Sequence, residues 1–184
     1  MSFGDQTSEE MITVKSDPRL TISTKAINET YNASKEIQSI RQTAADAVKQ
    51  LVESKNIAKD YSKKLAKLDK KKYKDQIKAS KDIIKKLDKV IAIYLGKEDK
   101  RQGITSDPKI NVNQRIRSAG FYAGSRPNGL TSTEQTLLQH AKDAVKDALD
   151  KTNTFFNEEW KPYQATMEDL NTTPFKEIKS FKLN

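Results

Sequence analysis

The strongest chemical signal in this sequence is cationic. Residues 55–100 hold sixteen lysines against seven acids, and this stretch accounts for the whole formal net charge of +9. Elsewhere basic and acidic side chains balance. A lysine cluster can hold a polyanion by neutralising its charges, and the densest part here is Lys63, Lys64, Lys67, Lys70, Lys71, Lys72 and Lys74. The same residues can equally form the solvated outside of a helical hairpin whose turn is Asp69–Tyr73. Two features favour the solvated reading and disfavour nucleic acid. The stretch has no arginine, the side chain suited to bidentate contacts with phosphates and bases. Aspartates also stand four residues before lysines, as in Asp60–Lys64 and Asp82–Lys86, where a helix would pair them.

A second candidate is aromatic. Phe155, Phe156, Trp160 and Tyr163 recur at helical spacing. They can form a contact patch for a sugar or a partner peptide, or close the hydrophobic end of a bundle, the commoner use of such residues. His140 is the sole histidine; flanked by Gln139 and Ala141, it has no partner for acid–base work and reads as a helix-surface residue. Glu158 and Glu159 are adjacent, so they point to different helix faces and do not make a carboxylate pair. There is no cysteine, which removes disulfides, thiolate chemistry and zinc-finger spacing. No metal-ligand spacing, P-loop or dinucleotide fingerprint occurs. The reading therefore assigns no catalytic residue, no metal ligand and no cofactor. Gly120 and Gly124 read as small residues that let a neighbouring helix approach, with Phe121 and Tyr122 covering the sides of that contact. Asn28, Asn32 and Asn171 begin N-x-Ser/Thr triplets, which matter only in a glycosylating host.

The elements that must position these residues are helices. No Gly or Pro falls between Pro18 and Gly96. A single helix over that stretch would exceed about 100 Å, so the chain must turn back, and charged Asp69–Tyr73 is the best turn. The first helix starts at Ser23 or Thr24, either of which can cap it. Its apolar stripe includes Ile27, Tyr31, Ile37, Ile40, Ala44, Val48, Leu51, Ala58, Tyr61, Leu65 and Leu68. The second helix spans about Lys74 to Leu95, with Ile77, Ile84, Leu87, Ile91 and Leu95 inward and Gly96 ending it. Residues 97–110 read as a loop marked by Gly103 and Pro108. A short third helix covers about Asn111 to Gly124, and residues 126–129 form a turn. Thr131 and Glu134 have capping-box spacing and open the fourth helix, with Leu138, Ala141, Val145, Ala148, Thr152 and Phe156 on one face. Pro162 bends or restarts it, a last helical piece reaches about Leu170, and Phe175, Ile178 and Phe181 suggest a docking tail. The expected fold is all-α: an antiparallel four-helix bundle with long first helices, one short helix and a bent last helix. A coiled-coil dimer is the alternative. No run of about 20 apolar residues is present to span a membrane.

The N-terminus breaks the pattern. In "EEMITVKSDPRLTIS" Ile12 and Val14 alternate with Thr13 and Lys15, which is strand spacing, and Asp17-Pro18 stops it. A lone strand leaves its backbone unpaired. Residues 1–20 are therefore expected to be the remnant of a preceding β-domain or a linker, and residues 21–184 the helical bundle domain.

"ITVKSDPRLTIS" resembles the junction in bacterial sortilin-like, BNR-repeat β-propeller proteins, often described as glycosyl hydrolases, where a strand ending in Val-Lys-x-Asp-Pro-Arg leads into a C-terminal helical region. The segment from Ile110 to Gln164 is similar to the second half of that region, with matching positions at Arg115, Ile116, Gly120, Pro127, Thr131, Leu138, Leu149, Trp160 and Pro162. The resemblance covers nearly the whole chain from Ile12, and the Asp-Pro-Arg junction is its most specific part. It implies a non-catalytic interaction or scaffolding module from the C-terminal end of an exported β-propeller protein, partnered by that propeller or another protein. Any hydrolase activity would lie in the upstream propeller. It also implies a periplasmic, outer-membrane-associated or secreted location. The alternative function, from charge alone, is a polyanion-binding helical bundle working through residues 55–100.

Overall fold

The computed structural model describes residues 2–15, 17–97, 110–125 and 128–170. Its elements are β1 (Ser2–Phe3), β2 (Gln6–Thr7), α1 (Thr24–Asp69), α2 (Lys74–Leu95), α3 (Val112–Gly124), α4 (Ser132–Phe155), a π-helical turn over Phe156–Trp160, and α5 (Lys161–Glu168). The all-α bundle expected from the spacing is present, with its long first helices and short third. No helix among the described residues is long and apolar enough to cross a membrane. Most of residues 97–110, part of the 126–129 turn, Asn171, Pro174 and the tail residues Phe175, Ile178 and Phe181 lie outside the described residues.

Three of the helices, α1, α3 and α4, begin where side chains satisfy orphan N–H groups. Ser23 Oγ accepts from the Ala26 N–H at 3.1 Å. Asn111 and Gln114 form a reciprocal box, with Gln114 N–H donating to Asn111 Oδ1 at 2.9 Å and Asn111 N–H to Gln114 Oε1 at 3.0 Å. The Thr131 N–H donates to Glu134 Oε2 at 2.7 Å, as its spacing predicts. The turn between α1 and α2 closes on Asp69, whose Oδ1 accepts the N–H groups of Lys71 and Lys72 at 2.9 and 3.0 Å. Gly96 ends α2 at φ +81°. Before Pro162 the helix widens. Proline has no N–H and its ring collides with the carbonyl four residues back. The Lys161 N–H bonds the Phe156 carbonyl, five residues back, and α5 follows with Pro162 in its first turn.

Contacts between helices define the arrangement. Lys55 pairs with Asp88, so α2 runs antiparallel to α1. A Cβ on Gly96 would lie 2.8 Å from Asn111 Nδ2, so α3 starts where α2 ends. Gly120 then sits against Ile37 and Arg41, which makes α3 antiparallel to α1 as well. The lack of a side chain at Gly120 permits the close approach expected there, whereas Gly124 faces open space, where a Cβ would meet nothing within 4 Å, and Phe121 and Tyr122 do not cover the contact but remain exposed. A Cβ on Gly129 would meet Glu29 and Ala26, and Lys142 pairs with Glu36, so α4 runs parallel to α1. The bundle is thus three rods thick: α1, then α2 continued by α3, then α4 continued through the π-turn by α5. The expected four antiparallel neighbours differ in this one respect, because α3 keeps the direction of α2.

The core runs along the seams, through Ile37, Leu51, Ala58, Leu65, Ile83, Leu87, Ala141 and Val145. Two buried tyrosines cross it. Thr152 Oγ1 donates to its own helix at the Ala148 carbonyl (2.8 Å), so the Tyr94 hydroxyl, 2.8 Å away, donates to Thr152. Likewise Ser80 Oγ donates to the Gln76 carbonyl (2.9 Å), so the Tyr163 hydroxyl donates to Ser80 at 3.0 Å. Burial pushes both phenol pKa values up.

Several expected inward residues face out. Ile27, Tyr31 and Leu68 are exposed, because α1 buries Ala33 and Ile37, and Tyr31 lies more than about 100° around the helix from Ala33. Lys35 Nζ instead covers the Tyr31 ring at 4.6 Å. On α2 the inward position near the end belongs to Tyr94, and Leu95 is 53% exposed. The strand expected at Ile12 and Val14 is not formed. Residues 8–15 have no regular structure, and Met11, Ile12 and Val14 are 95%, 83% and 91% exposed. Without a neighbouring strand its backbone bonds to water instead. Among the described residues, β1 and β2 form only a two-residue antiparallel ladder turning at Gly4.

Leu87→Ala should cost about 2–5 kcal/mol in urea unfolding and Leu95→Ala less than about 0.5 kcal/mol; equal losses would show the phase of α2 to be wrong. Tyr94→Phe should cost about 1 kcal/mol, and Thr152→Val about 1–3 kcal/mol because it strands the tyrosine O–H without an acceptor. Since a raised phenol pKa supports folding below about pH 10 and that support is lost above it, the Tyr94→Phe/Tyr163→Phe double variant should show a shallower fall in stability at alkaline pH.

Candidate interaction site

The N-terminal approach to the bundle is built around one aspartate. Asp17 Oδ1 accepts the Arg19 N–H at 2.9 Å and the Arg19 Nε at 3.0 Å, while Oδ2 accepts a terminal guanidinium N–H at 2.7 Å. The Leu20 N–H donates to the Asp17 carbonyl at 3.0 Å, closing a turn with Pro18 at its second position. Arg19 beside Asp17 holds that carboxyl below its usual range. This fork is the physical content of the Asp-Pro-Arg junction. It turns the chain between the irregular Met11–Val14 segment, whose apolar side chains are exposed, and the Ser23 cap of α1.

The seven tip lysines, Lys63, Lys64, Lys67, Lys70, Lys71, Lys72 and Lys74, are all exposed and lie together at the α1–α2 turn. None of them is in an ion pair among the described residues. Lys72 Nζ stands 5.2 Å over the Tyr73 ring, and the nearby acid Asp69 is engaged with backbone. Pairing occurs instead towards the middle of the bundle. Lys55 meets Asp88, and Lys86 reaches across to Glu159. The expected same-helix pairs Asp82–Lys86 and Asp60–Lys64 are not formed; Asp82 takes Lys85 at 3.4 Å. A carboxylate on the neighbouring rod is the better placed partner for Lys86.

The four aromatic candidates are brought together, but largely as packing. Phe155 and Tyr163 are buried, and Phe156 and Trp160 half-buried. Their rings meet in sequence, with centroids 5.5 Å apart for Phe155–Phe156, 6.3 Å for Phe156–Trp160 and 5.3 Å for Trp160–Tyr163. Tyr163 is further tied to Ser80. Only Phe156 and Trp160 offer a rim to solvent. His140 is exposed on α4, as its neighbours imply. Glu158 is exposed while Glu159 pairs with Lys86, as different helix faces require. Among the described residues no group of three or more His, Cys, Asp or Glu is placed to hold a metal ion.

The structure adds one feature that spacing did not reveal. A groove of about 540 Å³ opens between α1, the end of α2 and α3, lined by Val48, Val52, Leu95, Val112 and Ile116, with Arg41 at its edge. Of these, Val48 and Leu95 read as members of their own helix stripes, and nothing in the spacing joined them to Val52, Val112 or Ile116. The groove exists only because α3 continues α2. Comparison with protein-family models, with curated proteins and with solved structures finds no match to this chain.

The fork gives a direct measurement. In Arg19→Ala the Asp17 carboxyl should titrate at a higher pH than in the unaltered chain, followed by carboxyl-carbon NMR, because the lowered pKa depends on the guanidinium. Unchanged titration would show that the fork does not form in solution.

Proposed function

We propose that this chain is a non-catalytic helical interaction module, belonging to the C-terminal end of an exported β-propeller protein, whose N-terminal segment adds as a strand to a β-domain. The observation that carries this reading is the segment at Met11–Val14. From Ile12 to Lys15 apolar and polar residues alternate, Met11, Ile12 and Val14 are 83–95% exposed, and a hydrogen-bonded turn at Asp17–Leu20 and a capped helix follow. A segment with strand-like alternation and water-exposed apolar side chains suits addition to a sheet edge, where main-chain bonds supply affinity and alternate side chains fill pockets. The resemblance of the Val-Lys-Ser-Asp-Pro-Arg junction to the propeller proteins supplies the identity of the sheet and the exported location. In this reading the bundle scaffolds, holding the propeller or a further partner, and any hydrolase chemistry belongs to the propeller.

Hydrogen exchange tests it. In this chain alone the amides of residues 11–15 should exchange at the rate of an unstructured peptide. In the complete gene product they should be protected by about a hundredfold or more, as in a paired strand. Protection in the isolated chain, or free exchange in the complete product, would overturn the proposal.

A further inference from the structure

Two helical rows meet on one flank of the α1–α2 hairpin. On α1 the row runs through Val48, Val52, Lys55, Lys59 and Lys63, at steps of three and four residues. On α2 it runs through Lys74, Lys78, Lys81, Lys85, Asp88 and Leu95, at the same steps or their sum. The Lys55–Asp88 pair ties the two rows edge to edge. The opposite flank of α2 is occupied, since Ser80 and Lys86 meet α5 and the π-turn there through Tyr163 and Glu159. The tied rows therefore face away from the third rod. Val48, Val52 and Leu95 place the apolar groove at one end of this flank. Lys59, Lys63, Lys78 and Lys81 occupy the rest, exposed and without ion pairs among the described residues. Val52 and Lys63 lie about 16 Å apart along α1.

We propose that this flank docks an acidic polypeptide that carries an apolar anchor, the anchor seated in the Val48–Val52–Leu95 groove and its carboxylates ranged along the lysine rows. Charge complementarity selects the partner's sign. The groove selects its class, because a phosphate or sulfate polymer has nothing to place against valine and leucine, whereas a peptide does. Lysine without arginine suits carboxylates spread along a chain better than bidentate phosphate recognition. The flank is separate from the N-terminal segment, so either reading can fail without the other.

The test uses the full chain and four probes: a fluorescent poly-glutamate peptide ending in Leu-Leu, the same peptide ending in Ser-Ser, heparin, and duplex DNA. The unaltered chain should bind the Leu-Leu peptide several-fold more tightly than the Ser-Ser peptide. Lys59→Gln/Lys63→Gln/Lys78→Gln/Lys81→Gln should weaken both peptides at least about tenfold. A control with Lys25, Lys146, Lys151 and Lys161 changed to Gln should not. Val52→Glu, at a position 38% exposed and so tolerant of change, should reduce the Leu-Leu peptide to the level of the Ser-Ser peptide. Circular dichroism confirms that each variant is folded. Equal binding of the two peptides, equal loss in the control variant, or tighter binding of heparin or DNA that Val52→Glu leaves unchanged would overturn the proposal, the last in favour of a polyanion site.

Discussion

The second and third rods are held in register by two buried tyrosine hydroxyls. Each donates to a side-chain hydroxyl that is already committed to its own helix backbone, so neither bond can turn round or find another partner. Tyr94 fixes the end of α2 against α4 at Thr152, and Tyr163 fixes its middle against α5 at Ser80. Apolar burial alone would let the rods slide by a turn with little loss, because alanine, leucine and isoleucine repeat along every seam. A buried phenol without its acceptor costs far more than a shifted methyl group. The hydroxyl pairs therefore select one alignment among several that hydrophobicity would accept.

That alignment decides what remains on the outside. With α2 pinned to the third rod on one flank, its lysine row is left on the other, beside that of α1. The unpaired lysines and the paired ones are separated by geometry and not by local sequence. Where a neighbouring rod brings a carboxylate, as at Asp88 and Glu159, the lysine is engaged. Towards the hairpin tip the lysines form no ion pair among the described residues. The apolar groove has the same origin, since it marks the place where α2 hands over to α3.

Much of this was legible in the residues. The Asp69 turn, Gly96, the Thr131–Glu134 box and Pro162 punctuate the chain through backbone chemistry that does not depend on tertiary context, and the helix limits fall where they place them. The direction of α3 was not legible. The connection after Gly96 is long enough to allow either sense, and no local rule chooses between them. The phase of α2 near Tyr94 was misread because Leu95 is the more apolar neighbour; what brings Tyr94 inward is Thr152, 58 positions away. The strand pattern at Ile12 and Val14 is present in the sequence, yet a strand is a property of two segments, and among the described residues the second is not supplied. The candidate site divides in the same way: the lysines and the aromatic series were visible, but which lysines share a flank, and which rings are spent on packing, depended on the third rod.

The π-turn before Pro162 has a consequence for phase. On a regular helix Phe155 and Tyr163, eight residues apart, would point about 80° away from each other. The wide turn absorbs one residue, which rotates everything after it by about a hundred degrees and returns Tyr163, with Met167 behind it, to the azimuth of Phe155. A proline usually described as an interruption thus marks a vernier. One surplus residue lets a single rod meet α2 through both its halves: straightening the turn with all its residues kept would swing Tyr163 off the seam, whereas deleting one residue within Phe156–Trp160 would restore a regular helix with Tyr163 still in phase.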